Sequence, residues 1–105
     1  MVVSLNAEID FNILRLPRFF TPNNDGENDI WVVKGLDQAL YKRGEITVVD
    51  RLGNVMYNDS VFGLGWDGKL KGKRMPSDDY WFFMSLTDKL DNSYKYEGHF
   101  SLLRK

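Results

Sequence analysis

The sequence of 105 residues contains no cysteine, and this absence excludes several kinds of protein chemistry. Disulfide frameworks, thiol nucleophiles and zinc sites built on cysteine are all ruled out. The chain also lacks any stretch that approaches the ~20 apolar residues needed for a membrane-spanning helix. Residues 1–8 do not combine a basic region with a long apolar segment, so they lack the pattern of a secretory signal peptide. If Met1 is only the initiator of a piece cut from a longer protein, we expect any export signal to lie upstream of this sequence.

The sequence also lacks an excess of either charge. Fourteen Lys and Arg residues stand against fifteen Asp and Glu residues, which gives a net charge of −1. A nucleic-acid-binding surface needs concentrated positive charge to displace counterions, so this balance argues against such a partner. The basic cluster at positions 69–74 surrounds a glycine and precedes a proline, which is typical of a solvated loop.

Apolar side chains are abundant enough for one hydrophobic core. The apolar share is 43% and the aromatic share is 14%. A chain of this length buries enough surface to fold as one domain without metal or disulfide support.

Apolar and polar residues alternate with a period of two, which predicts strands rather than helices. Residues 9–13 show the first alternation, and a β-branched and aromatic run at residues 30–33 predicts the next strand. Residues 45–50 and 55–57 flank a short loop that contains Gly53, and this pattern predicts a hairpin.

The strongest strand pattern lies at residues 80–86, and a final alternation covers residues 94–103. In the first of these, the more continuous apolar face is expected to point inward; it comprises Tyr80, Phe82, Met84 and Leu86. Six or seven short strands without a long helical period predict an all-β fold. We expect an immunoglobulin-like antiparallel β-sandwich of about seven strands.

The residues that could support catalysis are few. His99 is the only histidine, and a Ser-His-Asp site would need it in a pocket beside a serine and a carboxylate. Glu97 and Ser101 lie about 6–7 Å from it along a strand, so a surface histidine is the favoured interpretation. Asp78 and Asp79 stand in a turn-like context, where Asp bonds its own backbone. We therefore predict no catalytic residues and no enzymatic activity.

Asn23, Asp25 and Asp29 surround Gly26 and form a candidate Ca²⁺ loop. Oxygen ligands around a sharp turn suit Ca²⁺, although the ligand spacing of an EF-hand is not met. In the alternative interpretation Asn23 and Asp25 close the loop with Asx turns, and Asp29 begins the next strand. We favour this alternative and expect no cofactor.

Two aromatic features have more than one interpretation. Trp81 and Phe83 share the second face of the strongest strand, where a neighbouring strand or the N-terminal segment covers them or they form a contact site. Cover is the favoured interpretation. Trp66 precedes Asp67 and Gly68, and this tripeptide predicts a core anchor beside a turn.

Five motifs follow one another along the chain. The opening motif contains Phe20, Thr21, Pro22, Asn23, Asn24, Asp25, Gly26, Glu27, Asn28 and Asp29. The next three contain Arg51 and Gly53, then Trp66, Asp67 and Gly68, then Pro76 and Tyr80. Residues 96–105 form the last motif. Together they resemble the gliding-motility-associated C-terminal domain, the type B sorting domain of type IX secretion. Asn24 and Leu52 replace the glycine and the aromatic residue that are usual in that family.

The resemblance implies a non-catalytic C-terminal sorting signal that directs a larger cargo protein through the type IX secretion system. The implied destination, across the periplasm and the outer membrane, is the cell surface or the medium. The implied partners are the type IX translocon and a PorP/SprF-like outer-membrane protein. We expect no nucleic-acid partner, no membrane insertion and a monomeric isolated domain.

The resemblance also suggests a division of the chain. Residues 20–105 would form the sorting domain, and residues 1–19 a linker or the end of a preceding region with an edge strand. The final strand is expected to present the residues that bind the receptor or translocon, as anchors or by strand addition. These residues are Gly98, His99, Phe100, Leu102, Leu103, Arg104 and Lys105.

A second class of function remains open from the sequence. In a carbohydrate-binding or adhesive β-sandwich module, Trp31, Trp66 or Trp81 would serve as stacking platforms for sugar rings.

Overall fold

The computed structural model describes residues 16–26 and 28–104, and these residues form strands without any helix. The strands are β1 (Phe19–Phe20), β2 (Tyr41–Val49), β3 (Val55–Ser60), β4 (Lys69–Leu70), β5 (Lys73–Arg74), β6 (Asp78–Asp88) and β7 (Ser93–Leu102). The described part accordingly contains no helix that could cross a membrane. The predicted all-β class is confirmed. The strand predicted at residues 9–13 lies outside the described residues, and the domain boundary at residue 20 stays a prediction.

Five strands form the main sheet in the order β1-β7-β6-β2-β3, and β4 and β5 form a separate two-stranded sheet. The three long strands pair antiparallel, as expected for the predicted sandwich. β1 instead pairs in parallel with β7, and Phe19 aligns with Ser101. This edge is held by hydrogen bonds from the N–H of Ser101 to the carbonyl of Arg18 and from the N–H of Leu103 to the carbonyl of Phe20.

The core lies on one face of the main sheet. The face of β6 that was predicted to point inward is buried, and residues 79–86 alternate strictly between exposed and buried. Non-strand segments cover this face with large side chains, and Phe20 of the edge strand β1 adds its ring to the core. The buried aromatic residues of the core are Phe20, Trp31, Tyr41, Trp66, Tyr80, Phe82, Tyr94, Tyr96 and Phe100. Each buried phenylalanine stabilises the fold by about 1.5–3 kcal/mol relative to exposure.

The strand predicted at residues 30–33 does not form. Trp31 makes an isolated bridge with Trp66, through N–H···O hydrogen bonds of 2.8 and 2.9 Å. Next to this bridge Gly65 has a φ of 94°, and a Cβ there would lie 2.6 Å from the carbonyl oxygen of Trp31. The ladder does not continue because this left-handed backbone leaves the extended conformation of a strand.

The basic cluster at positions 69–74 forms a small hairpin instead of a simple loop. Its turn residues, Lys71 and Gly72, have φ values of 54° and 80°. Positive φ at both positions is the geometry of a type I′ turn, which joins two strands through two residues. The cationic side chains of this hairpin are exposed, in agreement with the predicted solvation.

Candidate docking surface

The final strand lies inside the sheet, between β1 and β6, so much of the predicted receptor-binding tail is buried. Phe100 is 1% exposed, and its ring stacks on that of Trp31 with centroids 4.2 Å apart. Leu102 is fully buried. Both side chains are core residues of the folded domain, which does not present them on its surface. Their role as receptor anchors stays a prediction.

Arg104 is also engaged within the fold. Its Nε donates to the carbonyl oxygen of Met75 at 2.7 Å, and its Nη1 to that of Pro22 at 3.2 Å. Its Nη2 donates to the carbonyl oxygen of Gly68 at 2.8 Å, and its backbone N–H to Ser77 Oγ at 2.7 Å. One guanidinium therefore joins the end of the chain to three loops, which is a structural role that sequence reasoning missed.

The other tail residues divide between packing and exposure. A Cβ on Gly98 would lie 2.9 Å from the ring of Phe82, so this position is restricted to glycine by close packing. His99 is exposed, and Leu103 is 48% exposed. Lys105 lies outside the described residues. Of the predicted docking residues in the described part, His99 and Leu103 are the two with exposed side chains.

The opening motif is a loop closed by the carboxylate of Asp29. Its Oδ1 accepts from the backbone N–H of Asn23 at 3.1 Å and of Asn24 at 2.9 Å, and its Oδ2 accepts from that of Gly26 at 2.8 Å. Partial desolvation raises the pKa of Asp29, but these hydrogen bonds outweigh it and hold the pKa below its usual value. Asn23 Oδ1 accepts from the N–H of Asp25 at 3.1 Å, which is the predicted Asx turn.

The role expected for Asp29 is corrected by this geometry. It does not begin a strand but ties the loop through its side chain. Both of its oxygens already accept backbone hydrogens, so a Ca²⁺ ion would compete with these contacts. The candidate Ca²⁺ loop stays a prediction. Asn24 has a φ of 67°, which explains why the position suits the glycine usual in the family and tolerates asparagine.

The other opening residues support the same loop. Phe20 is 1% exposed in the core, and the N–H of Thr21 donates to the carbonyl of Asn28 at 2.7 Å. Pro22 contributes its carbonyl to Arg104. Glu27 lies outside the described residues.

The Trp66 motif is a core anchor beside a turn, as predicted. The indole N–H of Trp66 donates to the carbonyl of Lys69 at 3.0 Å, and Asp67 Oδ1 accepts from the N–H of Lys69 at 3.0 Å. Gly68 has a φ of 82°, and a Cβ there would lie 3.0 Å from the guanidinium of Arg104. The glycine is thus required by both its backbone conformation and its neighbour.

The remaining motif residues hold the β2–β3 turn and the start of β6. Arg51 forms an ion pair with Asp78 across the top of the sheet. Gly53 takes a φ of 86° in the β2–β3 turn, and its N–H donates to the carbonyl of Asp50 at 3.0 Å. The hydroxyl of Tyr80 donates to the carbonyl of Pro76 at 2.8 Å. These motif residues are structural.

The second face of β6 is exposed, so no described strand covers it, contrary to one form of the favoured prediction. The other form, cover by the N-terminal segment, concerns residues 1–15, which lie outside the described residues. Trp81 is 36% exposed and Phe83 is 48% exposed. The ring of Trp81 contacts that of His99 across the β6–β7 pair, with centroids 6.5 Å apart. The alternative, a contact site on this face, stays a prediction.

Asp78 and Asp79 are held as structural carboxylates by contacts within the fold. A hydrogen bond from the N–H of Asp79, together with one from Arg51, lowers the pKa of Asp78. Ser101 Oγ donates to Asp79 Oδ1 at 2.7 Å, so this serine serves Asp79 and not His99. A general acid needs a raised pKa, and this arrangement produces the reverse. In the described part of the chain, no three His, Asp or Glu side chains gather as a metal site.

The described fold and surface define a small β-sandwich module that carries an exposed aromatic face. The sequence model of the CHU_C type IX secretion signal domain matches residues 14–102. Because this match covers most of the chain, the protein belongs to that family, and the resemblance noted from its motifs is confirmed. Membership implies a sorting-signal role, interaction with the type IX machinery and export from the cell. A search of curated proteins gave no match.

Proposed function

We propose that this domain is the non-catalytic C-terminal export signal of a larger cargo protein. It directs that cargo through the type IX secretion system to the cell surface or the medium. The observation that carries the proposal is the family match over residues 14–102. The partners are the translocon and, for a type B domain, a PorP/SprF-like outer-membrane protein.

The position of the last strand supports recognition of a folded domain. Phe100 and Leu102 fill the core, and Arg104 binds three loops. A receptor that pulled this strand out as an extended peptide would have to break the core. We infer that the machinery recognises the folded surface, with His99 and Leu103 as the contact residues of the tail.

Export by the domain is tested with a fusion. The 105-residue chain is joined to the C-terminus of a periplasmic reporter, in a bacterium that carries the type IX machinery. We expect the reporter on the surface or in the medium, and in the periplasm of a strain without the translocon. Equal distribution of the reporter in the two strains would overturn the proposal.

Two variants test whether the machinery recognises the folded surface of the domain. Trp66→Ala removes a core ring that is 2% exposed and should abolish export together with folding. Leu64→Ser changes a side chain that is 88% exposed and should leave both unchanged. Export of the unfolded Trp66→Ala fusion at the normal level would contradict recognition of a folded surface.

The contact with the outer-membrane partner is tested by co-purification. His99→Glu and Leu103→Glu alter exposed positions, so the melting temperature should stay near that of the parent. We expect each variant to recover less PorP/SprF-like protein after crosslinking. Unchanged recovery with both variants would remove these residues from the contact.

The alternative of a carbohydrate-binding or adhesive module now depends on Trp81. Trp31 and Trp66 are 1% and 2% exposed, so neither ring can stack on a sugar. Glycan binding by the isolated domain that is lost in Trp81→Ala would favour this alternative over a purely sorting role.

A further inference from the structure

The exposed face of the main sheet is ordered in three rows that run across β2, β6 and β7. We call it the outer face. Its rows are Val49, Trp81 and His99; Thr47, Phe83 and Glu97; and Glu45, Ser85 and Lys95. Each row is set by the cross-strand register, so the relative positions of these residues are fixed by the backbone.

The outer face carries its aromatic residues on the central strand. Trp81 and Phe83 occupy alternate positions of β6, and both are exposed. Aromatic side chains are enriched at the centres of protein interfaces, where their burial supplies much of the binding free energy. A neighbouring pair on a strand paired on both sides is held in place before any partner arrives.

The charges of the third row are arranged symmetrically about β6. Glu45 on β2 and Lys95 on β7 both align with Ser85, one strand to either side, or about 4.8 Å from it. The ion pairs of the described residues are Lys42–Asp91 and Arg51–Asp78, and neither involves Glu45 or Lys95. The row thus presents one anion and one cation at equal distances from the central strand.

We propose that the outer face binds a second copy of this chain, in a dimer with a two-fold axis close to the direction of β6. Rotation about that axis exchanges the β2 side with the β7 side. Glu45 then faces Lys95 of the second copy, and Lys95 faces Glu45 of the second copy. Trp81 and Phe83 lie near the axis and pack against their own counterparts, as an isologous interface requires.

The charges choose between the two possible directions of the axis. An axis across the strands would place the row of Trp81 opposite the row of Glu45 and Lys95, and would bury the charges without partners. An axis along β6 pairs both charges of that row with their opposites and sets Glu97 of the second row against Thr47 of the second copy, whereas an axis across the strands would set Glu97 against Glu97. Sheets that pack face to face lie about 10 Å apart with strands about 30° from one another, so the axis lies about 15° from β6.

The outer face comprises nine residues, fewer than the roughly 20–30 per partner of standard stable interfaces. The proposal therefore predicts a reversible dimer, seen as a concentration-dependent mass in sedimentation of the isolated domain. This inference does not rest on the proposed export function. The sequence led us to expect a monomeric isolated domain, and the proposed dimer is the opposite of that expectation.

The decisive experiment mixes two charge-reversed variants. Glu45→Lys places lysines opposite Lys95 of the second copy, and Lys95→Glu places acids opposite Glu45. The self-association constant of each variant alone should be at least about tenfold lower than that of the parent. Mixed together, they should form a heterodimer in which both pairs attract, and added salt should weaken it. If Glu45 paired with Lys95 of the same molecule instead, mixing the two variants would not restore association.

The aromatic part of the interface has a matched control. Trp81→Ser should abolish the dimer while the melting temperature stays near that of the parent. Leu90→Ser, in the β6–β7 turn, changes a side chain that is 81% exposed and should leave the dimer intact.

Two outcomes would overturn the proposal. The parent could stay monomeric through the concentration series, or the mixed variants could fail to associate. A monomeric parent whose export is impaired by Trp81→Ser would assign the outer face to a different protein partner and refute the dimer.

Discussion

The guanidinium of Arg104 donates a hydrogen bond to the carbonyl oxygen of Gly68 at 2.8 Å, between residues that lie 36 positions apart. The same group reaches Pro22 and Met75, so the opening motif, the Trp66 motif and the segment before β6 meet at one side chain. Motifs that are separate in sequence thus form one structural unit, and this unit explains why the tail is held against the domain.

Replacing Arg104 should destabilise the domain. In Arg104→Met the three carbonyl oxygens lose a charged donor, and we expect the free energy of unfolding in urea to fall by about 2–4 kcal/mol. Arg104→Lys should lose less unfolding free energy than Arg104→Met, because the lysine ammonium keeps the positive charge although it lacks the planar fork of a guanidinium. Arg74→Met, at an exposed position, should change the free energy by less than about 0.5 kcal/mol. Equal losses at the two arginines would contradict the assigned contacts.

Phe100 and Phe83 form a matched pair of phenylalanines on opposite faces of the sheet. Phe100→Ala should cost about 3–5 kcal/mol of unfolding free energy, since it opens a cavity at the centre of the aromatic core. Phe83→Ala removes a ring that is 48% exposed and should cost less than about 1 kcal/mol. Thermal and urea unfolding measure both, and a reversed order would show that the two faces have been exchanged.

A substitution at Gly98 tests whether this position is a glycine because it packs closely against the ring of Phe82. A Cβ would lie 2.9 Å from the ring of Phe82, so Gly98→Ala should destabilise the domain by about 1–3 kcal/mol. Phe82→Leu makes room, and the double variant should lose less than the sum of the single losses. A more stable Gly98→Ala would indicate that the ring moves away freely and that backbone entropy decides the result.

The Asp29 carboxylate predicts a specific dependence of stability on pH. Its folded-state pKa is below the usual value of 3.8, because the loop N–H groups prefer the ionised form. Its contribution is fully present above pH 3.8 and is lost as the pH falls through the lower folded-state pKa. Asp29→Asn should therefore melt at a lower temperature than the parent at neutral pH, with a difference that shrinks in acid. A constant difference across the pH series, or one as small as that of exposed Glu97→Gln, would contradict the loop contacts.

Calcium should have no effect on the stability of the domain. Both oxygens of Asp29 already accept backbone hydrogens, so an ion would have to displace the contacts that close the loop. We expect the same melting temperature with Ca²⁺ and with a chelator, because a ligand raises stability only when it binds the folded state. A rise with Ca²⁺ that disappears in Asp29→Asn would establish the metal site instead.

The sequence by itself determined the elements whose signal is local. The alternation at residues 80–86 and 94–103 predicted β6 and β7, and the turn around Gly53 predicted the β2–β3 hairpin. Side chains of a strand alternate between its two faces, so a period of two is visible without knowledge of any partner strand. The five motifs in their order were likewise enough to identify the family.

Only the tertiary structure decided which surfaces are covered and which side chains meet. The pattern of β6 offered two apolar faces, and the segments that carry Trp31 and Trp66 cover one of them and leave Trp81 exposed. The partners of Arg104 come from three distant loops, so no local pattern indicates them. Residues 30–33 have the composition of a strand but form a single bridge, because pairing depends on the backbone at Gly65. Contacts between distant residues depend on the whole fold, and for that reason the predicted docking tail proved to be largely part of the core.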